Sequence, residues 1–591
     1  RIRDFCAGCF VDLWTSLRLS NRPPPLPRGS DEAPPPPAPS LFPSMRTSVF
    51  LTSALVAAAA VALCDASGTC HTPGALRGGG IAEKVGGFVG GFLRTDSFGG
   101  DMTSPNLVAP EAKVGLGLRG GGEDVIFDGE IRPLMQAEGL SEAAIKAFQQ
   151  NYEALVRGDD GMISERAISP AGDLPSLADV VKANLPEDQI KKMLEQTVVL
   201  KLNGGLGTGM GLEQAKSLLQ VKNGESFLAI IAKQVMAFRA TLGNVRVMFM
   251  NSFSTSADTK VALSAVSPEI VADGWEVVQN KVPKIQADTL RPAKLPGNPT
   301  KEWCPPGHGD LYPSLAGSGE LKKLLDAGVK YMFVSNADNL GATLDLNLLA
   351  FFVESDKSFV MEVCERTSSD KKGGHLAVRK QDNHLLLRES AQCADEDEKD
   401  FQDTEKHRYF NTNNLWIRLD KLQAVIEKND GVVPLPMIKN SKTVDPSDAD
   451  SHKVFQLETA MGAAIESFDG AGAIVVGRER FAPVKTCADL LCVRSDAYVT
   501  TADHRLVLDA VCEGKPPVID LSKEYKKVSG LDKLLAAGEI PSLKNCKKLV
   551  IKGKVVFSAG TTFAGEVTIT NAADEWKTLP AGNYDGHTIE L

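Results

Sequence analysis

From residue 196 onward the chain alternates two hydrophobic rhythms. Residues 198–202 are apolar except for Lys201, the make-up of a strand buried on both faces. Residues 227–242 carry apolar side chains at 227, 228, 230, 231, 235 and 238, one face of a helix. Residues 245–250 and 331–335 read as further strands. Residues 321–327 read as a helix, with Ser318 near the start and Gly328 past the end. Leu457, Met461, Ala464, Ile465 and Phe468 form a second helical stripe. The alternation predicts an α/β domain over 196–505, built on a mainly parallel sheet. Such sheets bind ligands beyond the carboxyl ends of their strands.

The flanks differ. Residues 123–195 predict a helical N-terminal segment, although Leu134, Leu140, Ile145, Phe148 and Leu155 are loosely spaced. Ser141 is placed to cap a helix, with Glu142 in the first turn, where the dipole favours a carboxylate. Ala144 stands where a full capping box needs Glu or Gln. This segment is expected to pack on the next unit rather than hold a core of its own. In the tail, 506–591, the pairs Leu549/Ile551, Val555/Phe557, Thr561/Phe563 and Val567/Ile569 recur every six residues, with glycines between. That repeat predicts stacked turns of a β-helix, with two ordinary hairpins as the alternative.

Composition narrows the class. The 591 residues are 43% hydrophobic and 24% charged, as in an ordinary globular enzyme. A net charge of −10 provides no global field for nucleic acid or acidic membrane. Eleven cysteines are too sparse for a disulfide scaffold, and only Cys6 and Cys9 form a C-x-x-C. Residues 1–122 read as a disordered leader. Residues 1–44 are proline-rich. Met45 and Arg46 precede an apolar run within 45–64 with the layout of a targeting signal, too short for a stable membrane span. The Gly-rich stretch behind it is similar to two-part leaders of algal plastid proteins. The leader predicts entry into the secretory pathway with the plastid as one destination. A cytoplasmic product follows if translation starts downstream.

The chemistry begins at Leu202-Asn-Gly-Gly-Leu-Gly-Thr-Gly-Met-Gly211, with Lys216-Ser217 behind it. Glycines let successive backbone N–H groups converge on an anion, and Lys216 adds a point charge. The spacing is neither that of a P-loop nor that of the G-x-G-x-x-G dinucleotide turn, since Met210 sits where the last glycine would fall. Kinase and dehydrogenase readings lose their support, and the loop predicts a cradle for nucleoside triphosphate phosphates.

Further segments follow in order: Met250-Asn-Ser-Phe253, Pro305-Pro-Gly-His-Gly-Asp310, Ser335-Asn-Ala-Asp-Asn-Leu-Gly341, Lys372-Gly-Gly374, Phe410-Asn-Thr-Asn-Asn-Leu-Trp416, Gln456-Leu-Glu-Thr459 and Arg480-Phe-Ala-Pro-Val-Lys485. Together with the glycine loop this set resembles the UTP–glucose-1-phosphate uridylyltransferase (UDP-glucose pyrophosphorylase) family over about 200–490. Ala215 departs from the family's usual proline before the lysine. Residues 1–122 have no counterpart in the family's core.

The resemblance implies transfer of the uridylyl group of UTP to glucose 1-phosphate, giving UDP-glucose and pyrophosphate by Mg²⁺-assisted displacement at the α-phosphorus. The nucleophile is already an anion, so cations and positioning matter more than a general base. Lys485 and Lys216 are implied as the catalytic cations. UTP is implied to lie against Leu202, Asn203, Gly204, Gly205, Lys216, Gln279, Gly307 and Asp338. Glucose 1-phosphate is implied to lie against His308, Asn336, Asp338, Gly374, Glu389, Asn411 and Asn413. Asp338 is implied as the metal ligand, which agrees with Mg²⁺ favouring one or two carboxylates plus phosphate oxygens and water. Lys442 is a weaker candidate, and Phe410 and Trp416 read as core. Two rivals stay open: a pyrophosphorylase of broader sugar range, and a non-catalytic nucleotide-binding or assembly protein. The tail offers a surface for a homo-oligomer without fixing its state.

Overall fold

A computed structural model describes residues 123–591 apart from 183 and 273. The leader expected over 1–122, with its apolar run at 45–64, lies outside the described residues. No described helix is long and apolar enough to cross a membrane.

A ten-stranded sheet organises the molecule. In chain order its strands are β1 (Ile168–Pro170), β2 (Thr197–Asn203), β3 (Arg246–Asn251), β4 (Glu276–Val278), β5 (Tyr331–Asn336), β6 (Phe359–Glu365), β7 (His375–Arg379), β8 (Leu385–Arg388), β9 (Tyr409–Arg418) and β10 (Gly472–Val475). β5, β2, β3 and β4 run parallel side by side, as the alternating pattern requires. β9 enters antiparallel between β5 and β6, and β6 then pairs parallel with β10. β7 and β8 form an antiparallel extension that reaches β9 at His375 and Phe410. The sheet is thus mixed: a parallel half and a largely antiparallel half beyond it.

The expected elements are in place. The helix predicted at 227–242 is Phe227–Leu242, capped by Ser226. The helix at 321–327 is Glu320–Asp326, ending before Gly328 at φ +79°. Ser141 caps Glu142–Val156 by accepting from the Ala144 N–H at 3.3 Å. The N-terminal segment borrows its core. Phe127, Ile131, Ile145, Phe148 and Tyr152 pack with Val282, Ile285, Cys304, Met437 and Leu457.

The stripe at 457–468 is a correction. Leu457 belongs to strand Lys453–Glu458, and only Met461–Glu466 turns, as a short 3-10 helix. All five stripe residues are buried, so burial from several sides produced the helix-like spacing. Phe410 and Trp416 are core, as read.

In the tail, Val518–Leu521, Ser542–Lys552 and Thr562–Thr570 pair parallel in sequence, and Thr562–Thr570 pairs parallel with both Asn583–Asp585 and Thr588–Glu590. Val555–Phe557 pairs parallel with Lys577–Leu579. Hairpins are antiparallel, so they are excluded here. Every residue of the six-residue repeat is buried. One hydrophobic cluster runs from Phe227, Phe249 and Phe333 through to Leu549, Ile551 and Phe563.

Candidate active site

The four parallel strands end level. Asn203 is paired with Asn251, Asn251 with Val278, and Leu202 with Asn336. Just beyond these carboxyl ends lies a cavity of about 300 Å³. Its walls include Leu202, Asn203, Gly204, Gly205, Lys216, Gln279, Gly307, His308, Asn336 and Asp338. Ten residues singled out in the sequence, from five separate segments, therefore surround one space.

The glycine loop is shaped by backbone requirements. Gly207 and Gly211 take φ of +68° and +76°, which side chains resist. The Lys216 N–H donates to the Gly205 carbonyl at 3.0 Å, folding the loop back on itself. Ala215, the departure from the family pattern, sits at φ −51°, inside the range a proline would impose. Its change costs no geometry. Lys216 then reaches across to Asp338, Nζ to Oδ2 at 2.5 Å. The Asn203 side chain is turned away, donating to Asn251 Oδ1 and Thr259 Oγ1 at 2.8 and 2.9 Å. Its backbone alone is left to face a ligand.

One wall of the cavity is built around Gln279. Its N–H donates to the Asn251 carbonyl at 2.6 Å and its amide to the Gly307 carbonyl at 2.9 Å. A Cβ at Gly204 would come within 2.8 Å of Gln279 Oε1, so only glycine permits this approach. Asp310 secures the neighbour: its carboxylate accepts from the Asn280 N–H at 2.7 Å and from Ser314 Oγ at 2.7 Å. Burial raises the Asp310 pKa to about 6 despite those donors. Asp310 stood inside a matched motif, but its partners lie 30 residues upstream and 4 downstream, so its role was not readable.

His308 has a defined tautomer. Its Nδ1 accepts the Met461 N–H at 2.9 Å, which leaves Nε2 to carry the proton and donate. Burial, then the nearby Lys485 charge, lowers its pKa to about 4. The imidazole is therefore a neutral donor at physiological pH. Its loop is fixed by the Thr459 N–H donating to the Pro306 carbonyl and the Gly309 N–H donating to the Thr459 carbonyl, both at 2.9 Å.

The second group of predicted residues gathers beside this cavity on the antiparallel half. Gly374 abuts Glu389: a Cβ there would lie 2.4 Å from Glu389 Oε2. The Asn411 N–H donates to the Gly374 carbonyl at 3.3 Å, and Asn411 Nδ2 to Asn413 Oδ1 at 2.8 Å. Asn413 holds a positive φ of 60°, a conformation asparagine tolerates better than most residues. Burial raises the pKa of half-buried Glu389, and the Lys485 charge opposes that rise. Lys485 thus lies within electrostatic reach of both His308 and Glu389. It is exposed, and among the described residues none forms an ion pair with its ammonium. Lys442 sits apart, exposed on strand Ile438–Thr443.

No group of three or more His, Cys, Asp or Glu among the described residues could form a protein cage for a metal. Asp338 offers one carboxylate at the cavity wall.

A glycine cradle, a facing cation–carboxylate pair and a mixed α/β sheet define a nucleotidyltransferase. Residues 145–563 match the model of the UTP–glucose-1-phosphate uridylyltransferase family. The chain belongs to that family. It is 40% identical to the UTP–glucose-1-phosphate uridylyltransferase of Solanum tuberosum over 407 residues, 68% of this chain and 82% of the relative. Against the enzyme of the same name from Saccharomyces cerevisiae it is 38% identical over 422 residues, 71% and 80% of the two chains. Among solved structures, a mutant UDP-glucose pyrophosphorylase of Leishmania major in complex with UDP-glucose is 48% identical, with a TM-score of 0.74 over 79% of this chain and 99% of that one. A UDP-glucose phosphorylase of Trypanosoma brucei is 47% identical, with a TM-score of 0.73 over 80% and 100%.

Proposed function

We propose that the chain joins UTP and glucose 1-phosphate into UDP-glucose, releasing pyrophosphate. The observation that carries this reading is the convergence of ten predicted residues on one cavity, with Lys216 and Asp338 at its wall and Lys485 within electrostatic reach of His308. In the proposed step, an oxygen of the sugar phosphate attacks the α-phosphorus of UTP. The bond from that phosphorus to the bridging oxygen breaks, and pyrophosphate leaves with the electron pair. No proton must be removed from the nucleophile.

The roles follow from the chemistry of each group. Gln279 and the backbone of 203–205 and Gly307 receive the uracil. Lys216 meets the phosphates. His308 donates its Nε2 proton to the sugar phosphate without adding charge. Lys485 stabilises charge that builds on the phosphoryl oxygens in the transition state. Gly374, Glu389, Asn411 and Asn413 read the sugar hydroxyls, and Asn336 sits between the two substrates. One carboxylate fits a Mg²⁺ that arrives on a triphosphate, because phosphate oxygens and water complete its shell. Asp338 would hold that ion, which supplies charge neutralisation on the phosphates.

The tail's parallel strands and buried repeat support a β-helix over 506–591, beside a catalytic domain over 196–505 and a helical segment over 123–195. A homo-oligomer would assemble through the tail.

The test is pyrophosphate release with UTP and a panel of sugar 1-phosphates. Selective turnover of glucose 1-phosphate is expected. Equal turnover of galactose or uronic acid phosphates would favour the broader pyrophosphorylase, and no release with any sugar would favour a binding protein.

A further inference from the structure

Strand β6 buries one acidic residue inside its apolar run, Glu362, while its other, Glu365, is exposed at the strand's end. The two carboxylate oxygens of Glu362 receive four donors. Oε1 accepts from Trp416 Nε1 at 2.9 Å and from an Arg480 terminal nitrogen at 2.8 Å. Oε2 accepts from Asn414 Nδ2 at 3.0 Å and from Arg480 Nε at 2.8 Å. The guanidinium is thus held by two parallel bonds, the arrangement that fixes orientation as well as distance. A buried pair of this kind contributes little net stability over apolar side chains of the same volume, because both charges must leave water. Something other than stability is needed to account for it.

Arg480 begins the segment that ends at Lys485, and that segment is stitched to the loop bearing Asp338. The Arg480 carbonyl accepts from Asn339 Nδ2 at 3.1 Å, and the Ala482 N–H donates to Asn339 Oδ1 at 3.0 Å. Asn339 and Pro483 form an isolated antiparallel bridge. The Val484 N–H donates to the Asp338 carbonyl at 3.1 Å. A Cβ at Gly341 would lie 2.4 Å from the Glu479 carbonyl oxygen, so the two loops touch along their length. Arg480 also donates to the Thr343 carbonyl at 3.1 Å, on the far side of the Asp338 loop.

We infer that Glu362 is a positioning residue: through Arg480 it locks the 480–485 segment against the Asp338 loop and so sets where Lys485 stands over the reacting phosphates. This rests on the reading of Lys485 as a catalytic cation. Neither Glu362 nor Arg480 reaches the cavity itself, so the pair acts through the loop.

The experiment is a double-mutant cycle on the full chain, with Glu362→Gln and Lys485→Ala made singly and together. Arg480→Lys is made as a second probe, since it keeps both buried charges and removes only the two-pronged grip. Steady-state kinetics are measured on each, with thermal melts to select folded variants. Glu362→Gln or Arg480→Lys should lower kcat roughly 10- to 100-fold, the scale of a misplaced catalytic group, with KM for UTP changed by less than about threefold. In the Lys485→Ala background the same substitution should cost under about threefold, because residues acting as a unit are not additive. An undiminished loss in that background would overturn the inference while leaving Lys485 catalytic. Near-normal turnover of Lys485→Ala itself would overturn both readings.

Discussion

Lys216 Nζ lies 2.5 Å from Asp338 Oδ2, joining two loops 122 residues apart at the wall of the nucleotide cavity. Both side chains are partly screened from solvent, 17% and 21% exposed. The pair offsets one charge against the other, and on the proposed reading a triphosphate with its metal would offer each a stronger partner. Lys216 would turn to the phosphates and Asp338 to the Mg²⁺ they carry. Asp338→Ala should therefore abolish turnover and its dependence on Mg²⁺ together. A Mg²⁺ titration of pyrophosphate release checks this, and a variant still activated by the ion would remove Asp338 as its ligand.

Lys485→Ala should slow turnover by roughly 10²–10³-fold, the loss expected for one preorganised transition-state donor. Its side chain is exposed, so the melting temperature should stay within about 1 °C, as surface substitutions usually leave stability unchanged. Kinetics and a thermal melt on the same preparation separate catalysis from folding.

Gly374→Ala should act on the sugar alone. The new methyl would meet Glu389 Oε2 at 2.4 Å, and Glu389 must swing away. Losing one hydrogen bond to the sugar corresponds to roughly a tenfold rise in KM for glucose 1-phosphate. KM for UTP should hold, because Gly374 and Glu389 are not among the residues lining the nucleotide cavity. Equal changes in both constants would count against the assigned sugar contact.

The pH dependence of stability carries a signature of His308. Its pKa is lowered from 6.5 to about 4 in the folded chain. Between those values the unfolded chain binds the extra proton, so stability is fullest above pH 6.5 and falls as pH drops toward 4. His308→Asn, whose amide oxygen can still accept from the Met461 N–H, should flatten that slope by one proton's worth. Thermal melts at steps from pH 7 to about 4.5 compare the two chains, and equal slopes would argue that His308 takes up its proton as readily in the fold as in the unfolded chain.

The sequence carried what is local. Spacing of Gly207, Gly211 and Lys216 announced a cradle, and the backbone supplies its left-handed turns. Ser141 announced its cap, and it receives the Ala144 N–H. Strand direction is not local: nothing in residues 409–418 says that β9 runs against its neighbours. The stripe from Leu457 to Phe468 misled because the chain there is clamped, with the Thr459 N–H on the Pro306 carbonyl, and buried from more than one side. Glu362 left a faint signal, a charge inside the apolar run 359–364. Its partner Arg480 lies 118 residues away, and pairing at that range is fixed only by the fold.

The inserted antiparallel strand has a consequence for how such an enzyme can change. Several of the residues proposed to meet the nucleotide sit at the ends of four parallel strands whose registers constrain one another. The residues proposed to face the sugar sit on or beside β7, β8 and β9, joined antiparallel. Short edits to those turns would alter the proposed sugar pocket and leave the parallel registers untouched. On the proposed site assignment, sugar preference could then shift by small steps that leave the nucleotide side unchanged.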